Sequence, residues 1–220
     1  MASEDRGLVA GAPDLDGGAA QAGGEDWPRG IVAKPEAALR ERTVTRLHWG
    51  CGRKARPGWI NSDKRGGPGI DLRCDIRDGL PLPGESVDYV VSIHALQELA
   101  YRDLVPALGE LRRVLKPAGV LRLGLPDLDR GIEAYRQNDG GYFHVPDEDA
   151  RSLGGKLIVQ MLWYGHSRSM FTHAFIEELL HRAGFRHVSR SRYKTTRSPY
   201  PEIVELDRRE QESLFVEAIK

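Results

Sequence analysis

Short apolar runs and helical apolar stripes take turns along the chain from about residue 44 onward. Runs rich in β-branched and aromatic residues at Val44–Trp49, Trp59–Ser62, Ile70–Cys74, Val87–Ile93, Val120–Leu125, Phe185–Tyr193 and Ser213–Ile219 predict seven strands. Leu104, Leu108, Leu111 and Leu115 recur at helical spacing, as do Phe175, Ile176, Leu179, Leu180 and Ala183 before Gly184, a helix stop. A further stripe of Leu153, Leu157, Met161 and Leu162 reads as the buried side of a third helix. Strands interleaved with helices predict an α/β fold, a doubly wound and mostly parallel sheet covered on both faces. Before this pattern starts, residues 1–30 hold almost no large apolar side chains and are rich in Gly, Ala, Asp and Glu. Such a segment buries too little surface to offset the entropy of ordering. Residues 1–40 are therefore expected to form a disordered or loosely ordered tail, with a short helical pattern at Glu36–Arg42, and residues 41–220 to form the domain.

Composition narrows the function classes. The 220 residues are 40% apolar, enough for one core, and 32 Lys and Arg balance 32 Asp and Glu. That balance gives no global attraction to nucleic acid or anionic lipid. No apolar run approaches the roughly 18 residues of a membrane span, and the N-terminus lacks the basic and apolar regions of a secretory signal, so a cytoplasmic protein without a membrane partner is expected. Cys51 and Cys74 make neither a disulfide framework nor a Cys-x-x-Cys pair and read as free thiols. The seven histidines lack a metal-ligand spacing, and no metal is expected.

In doubly wound sheets the ligand lies beyond the carboxyl ends of the strands, which directs attention to the residues there. Gly50-Cys51-Gly52 comes after the first strand, where missing Cβ atoms permit a tight turn and close approach to a ligand. Asp63 ends the second strand, the place of a carboxylate that accepts from ribose hydroxyls. Asp75 comes after the third strand beside Ile76, offering an acceptor for an adenine amine and an apolar face for its ring. Ser92 and His94 end the fourth. Each has a plainer reading as a turn or cap residue; the series is more specific than any member.

These residues resemble a known family. Leu47-His48-Trp49-Gly50-Cys51-Gly52, Pro57-Gly58-Trp59-Ile60-Asn61-Ser62-Asp63, Leu80-Pro81-Leu82-Pro83, Ser86-Val87-Asp88, His94-Ala95-Leu96, Arg113-Val114-Leu115-Lys116-Pro117-Ala118-Gly119-Val120-Leu121, Pro126-Asp127-Leu128 and Ala183-Gly184-Phe185 together resemble the class I methyltransferases of the type 11 kind, which use S-adenosylmethionine (SAM). The resemblance spans residues 44–218. It implies a seven-stranded Rossmann-like sheet with an antiparallel last strand, SAM over Gly50, Cys51 and Gly52, Asp63 at the ribose, Asp75 and Ile76 at the adenine, and Ser92 nearby. The chain departs from the family at His48, where an acid or Asn is usual, at Lys54 in place of a third glycine, and at Gln97-Glu98, where Glu-His is usual. Only six residues separate Gly52 from Trp59, too few for a normal crossover helix.

A methyl group on sulfonium is already activated, so the protein mainly aligns the acceptor and excludes water. Where the acceptor is a hydroxyl, a histidine base helps, and His94 is the candidate; the alternative is a capping or loop-ordering role. Residues 127–173 are expected to form the variable acceptor or lid segment, with Tyr142, Phe143 and His166 touching the acceptor and Trp163 packing. Arg186, Arg190, Arg192, Lys194 and Arg197 read as a solvated edge strand or, alternatively, as a surface that greets an anionic acceptor. The leading expectation is methyl transfer to an oxygen or nitrogen of a small molecule such as a sugar, a secondary metabolite or an anionic metabolite. Alternatives are a non-catalytic partner that keeps the fold and a nucleic-acid or protein methyltransferase.

Overall fold

A computed structural model describes residues 44–220. The expected tail at 1–40 and the short helix at 36–42 lie outside the described residues. The strand β1 (Arg46–Trp49) pairs in parallel with β2 (Ile60–Asp63) on one side and β4 (Val87–Ile93) on the other. Outside β2 lies β3 (Leu72–Arg73), and outside β4 lies β5 (Leu115–Pro126), both also parallel. The last strand, β7 (Ser213–Ile219), runs antiparallel between β5 and the edge strand β6 (His187–Ser191). The sheet order is β3-β2-β1-β4-β5-β7-β6, so strand order reverses between β1 and β4, which places the ligand crevice at their carboxyl ends.

One face is covered by the helices α1 (Tyr101–Val114) and α4 (His173–Arg182). Their apolar sides, Leu104, Leu108 and Leu111 from α1 and Ile176, Leu179 and Leu180 from α4, join Leu47, Val90, Leu121 and Val216 of the sheet in one buried core. Strand alternation sends Tyr89, Val91 and Ile93 to the opposite face, where Trp59, Ile203, Leu206 and Phe215 meet them. That face differs from the expectation of helices on both sides. Among the described residues it is covered by the irregular connection 192–212, with short 3-10 turns at Pro201–Val204 and Glu210–Glu212. No helix forms between β1 and β2, as the six-residue spacing requires. Two further helices, α2 (Leu128–Arg136) and α3 (Leu153–Leu162), pack together beyond the end of β5. Gly131 lies in their seam, where the position of a Cβ would be 3.0 Å from Met161 Cε. The apolar stripe of α3 is buried only in part: Met161 is enclosed, but Leu162 is 39% exposed because α3 touches the body along a narrow seam.

The pairing of β5 is longer than the apolar run suggests. Pro117 cannot continue α1, Ala118 turns through positive φ, and Gly119 is required because a Cβ there would meet Lys116 O at 2.8 Å. Within β5, Arg122 is fully buried in an otherwise apolar run. All of its donor nitrogens are used. Nε and Nη2 reach the Asp207 carboxylate at 2.8 and 2.5 Å, Nη1 reaches Glu217 at 2.6 Å, and the carbonyls of Arg192 and Thr195 accept from Nη2 and Nη1 at 3.0 and 3.1 Å. The guanidinium also lies 5.2 Å from the Phe215 ring centroid.

Removing this cation leaves two buried carboxylates without their partner. Arg122→Met is expected to lower the unfolding free energy by about 3–5 kcal/mol, whereas Arg122→Met combined with Asp207→Leu and Glu217→Met recovers most of the loss. Urea denaturation of the three proteins checks both outcomes.

Candidate active site

The chain turns sharply after β1. Gly50 N and Cys51 N both donate to Ser62 O, at 2.8 and 3.1 Å, folding the glycine loop onto the end of β2. Gly50 adopts φ +67, and a Cβ there would lie 2.3 Å from Ala95 Cβ, so no other residue fits between the ends of β1 and β4. Gly52 has φ +54 and open space where a Cβ would go. Asp63 holds this loop: Oδ2 accepts from Gly52 N and Oδ1 from Arg65 N, each at 2.8 Å. Lone pairs remain on the carboxylate for a further donor. Burial, aided by Asp63, pushes the Cys51 thiol up to about 11, so it stays protonated.

The structure brings Gly50, Cys51, Gly52, Asp63 and Ser92 together around this loop. The Ser92 hydroxyl is buried without a partner, 4.0 Å from the position of a Gly50 Cβ, and His48 Nδ1 is likewise buried without one. Asp75 is differently engaged. Its oxygens accept from Arg77 Nε and Nη2 at 2.9 and 2.6 Å and cap the turn at Ile76–Asp78, and this pairing holds its carboxyl down to about 2. Ile76 packs into the main core.

Beyond the ends of β4 and β5 lies a recess of about 160 Å³. Its walls include His94, Gln97, Gln160, Trp163, His166, Arg208, Arg209 and Glu212. His94 adopts φ 56, and its Nε2 lies 2.8 Å from Ser213 Oγ. Burial first, then Arg209 and Arg208, lower its pKa to about 3. His48 is lowered to about 4, again by burial first and then by Arg208 and Arg56. Both imidazoles are therefore neutral at pH 7, with one ring nitrogen a donor and the other an acceptor.

Of the residues expected to meet an acceptor, His166 lines the recess, whereas Tyr142 and Phe143 do not. Those two rings pack edge to face with centroids 5.2 Å apart, and Phe143 is buried. Trp163, expected to pack, stands in the wall at φ 42 with the Arg209 guanidinium 5.6 Å from its ring. Gln97, Gln160, Arg208 and Arg209 are wall residues that sequence reasoning missed. No local pattern marks them, although a pair of arginines shortly before an apolar strand is a visible signal. Two members of the basic run near the C-terminus are engaged within the fold: Arg190 donates to Asp127, and Lys194 Nζ donates to the carbonyls of Val204 and Glu205.

Residues 56–123 match the model of a methyltransferase domain. No curated protein matches the sequence significantly. Among solved structures, a SAM-dependent methyltransferase from Thermotoga maritima, described as a possible histamine N-methyltransferase, is similar at 20% identity and a TM-score of 0.51, covering 84% of this chain and 86% of that one. A SAM-dependent methyltransferase from Archaeoglobus fulgidus is similar at 14% identity and a TM-score of 0.52, covering 84% and 92%. At these identities the likeness speaks for the fold. The matched segment lies across the central strands of the sheet, and these structures share its fold.

Proposed function

We propose that the enzyme methylates an oxygen or nitrogen of a small molecule held in the recess beyond β4 and β5. The observation that carries this reading is the recess itself. It is lined by His94, the neighbour of the Ala95 that packs against Gly50, is walled by α3 and the 208–212 segment, and has a volume of about 160 Å³, on the scale of a small acceptor. Among the described residues no helix is long and apolar enough to cross a membrane.

The residues around the loop suit SAM. Gly52 leaves open space for a ligand, and the Ser92 hydroxyl and His48 Nδ1 are buried polar atoms that still lack partners. In this reading Asp63 accepts from the ribose hydroxyls, Gly50, Cys51 and Gly52 bring backbone close to the cofactor, and Ile76 offers an apolar edge to the adenine. Asp75 takes the adenine amine with the oxygen that Arg77 leaves less engaged. When bound, the cofactor supplies a sulfonium methyl already activated for attack. Orientation by the recess walls and exclusion of water contribute most of what the protein must add.

In this reading His94 handles the acceptor proton. In the tautomer whose Nε2–H donates to Ser213 Oγ, Nδ1 is the ring's acceptor. A pKa near 3 makes it a weak base, suited to fixing an acceptor hydroxyl or amine by a hydrogen bond and receiving its proton as the methyl bond forms. His166 and Trp163 complete the wall against the acceptor.

Two outcomes are expected. The purified protein binds S-adenosylhomocysteine, and Asp63→Ala weakens that binding by about 1–3 kcal/mol, read by calorimetry; no heat from the wild type would favour a non-catalytic partner. In a screen with labelled SAM, label enters small-molecule fractions and not RNA or protein. With an acceptor so found, His94→Asn, which tolerates the positive φ, lowers kcat about 10²-fold with little change in cofactor affinity. Because the His94 pKa is lowered, its neutral form is already present throughout the range above about 3, so the wild-type rate shows no His94 inflection between about pH 6 and 8.

A further inference from the structure

The walls of the recess hold two arginines, Arg208 and Arg209, and two glutamates, Glu98 and Glu212. Glu98 pairs with Lys64 at 3.3 Å and Glu212 with Arg209 at 2.8 Å, so both acids of the recess are already engaged. Arg208 is different. It is partly buried, its Nη2 donates to Ile93 O at 3.1 Å, and no carboxylate of the described residues reaches it. Four of its five N–H donors are left over. Burial and the neighbouring Arg209 lower its pKa, the signature of a cation short of a counter-charge.

Two amides beside it are also incomplete. Gln160 is 4% exposed; its Oε1 accepts from His144 N at 2.7 Å, which fixes the amide orientation and leaves Nε2 as a buried donor without a partner. Gln97 is 6% exposed, and its Oε1 is likewise buried and unpartnered. The same wall carries backbone strain, since His94, Trp163 and Arg209 all adopt positive φ. Non-glycine residues held there at some energetic cost persist where the surrounding structure fixes them for a purpose, and they cluster at ligand sites.

We propose that the acceptor is an anionic small molecule and that Arg208 grips its carboxylate or phosphate, with Gln160 Nε2 donating to the same group. This rests on the small-molecule reading of the recess. A guanidinium with free forked donors matches either anion, and partial burial strengthens the contact relative to water. Gln97 Oε1 then accepts from a hydroxyl or amine elsewhere on the acceptor, and the anion fixes which atom faces the methyl donor.

The test titrates the protein, with and without S-adenosylhomocysteine, with inorganic phosphate, acetate and neutral acetamide, followed by calorimetry and by the Trp163 indole resonance. The expected result is saturable binding of phosphate or acetate but not acetamide. Arg208→Gln, which can still donate to Ile93 O, weakens it at least about tenfold while S-adenosylhomocysteine affinity stays within about twofold. Arg208→Lys keeps the charge and loses the fork, and falls between the two. The proposal is overturned if the wild type shows no saturable anion response, or if Arg208→Gln leaves that response unchanged. It is equally overturned if Arg208→Gln costs about tenfold in S-adenosylhomocysteine affinity, which would assign the guanidinium to the cofactor's own carboxylate. Failure of every form to bind S-adenosylhomocysteine would sink the methyltransferase reading instead, and the phosphate titration of the cofactor-free protein would still decide the role of Arg208.

Discussion

A guanidinium sealed inside a sheet has to be answered on every side, and Arg122 is answered by three separate stretches of chain. The carboxylates of Asp207 and Glu217 and the carbonyls of Arg192 and Thr195 all converge on it. Desolvating an ion costs several kcal/mol even after relaxation, so the fold tolerates Arg122 only in an arrangement where those partners arrive together. That condition pins the connection between β6 and β7 across a face that would otherwise need a helix. Ile203 and Leu206 are then delivered onto Tyr89, Val91 and Ile93, and an irregular segment serves as the second layer of the sheet.

The same constraint reaches the site. Asp207 is one residue from Arg208, and its Oδ2 also accepts from Lys194 N at 2.8 Å, so the backbone entering 208–209 is held by a buried network rather than by a regular element. Arg209 can therefore sit at φ 59, with its side chain on Glu212 and over Trp163. Strain in the wall of the recess is sustained by packing and ion pairing on the other side of the same short segment. The site is held by hydrogen bonds and ion pairs where the chain looks like a loop.

Much of this is legible along the chain and some of it is not, for physical reasons. Val87–Ile93 and Ser213–Ile219 form strands over the same residues that their apolar patterning marks, because a strand buried on both faces is apolar at most of its positions. The glycine loop and Asp63 can be found because doubly wound topology gives the carboxyl end of each strand a fixed place at the crevice. Gln97, Gln160 and Arg208 cannot, since they come from a short 3-10 turn, the end of α3 and an irregular connection, and only the closed structure makes them neighbours. Arg122 does leave a trace: a single charge inside Val120–Leu125 demands acidic partners elsewhere, although the chain alone does not say which. Leu162 and Trp163 defy their patterning because periodicity tells which residues share a helix side, not how wide a seam the helix finds to pack against.

The departure at His48 acquires a reason from these electrostatics. Arg208 lies close enough to depress the His48 pKa, so a carboxylate in that position, which the resemblance of the sequence leads one to expect, would stand in the field of the same guanidinium. In a partly buried site the two would attract strongly and tie up the cation's free donors. A histidine kept neutral by burial supplies a hydrogen-bonding atom at that end of the loop without neutralising Arg208. Losing the acid beside the glycine loop and keeping an unpaired arginine across from it are thus one electrostatic arrangement. It keeps a carboxylate out of position 48 and leaves Arg208, partly buried, without a carboxylate partner among the described residues.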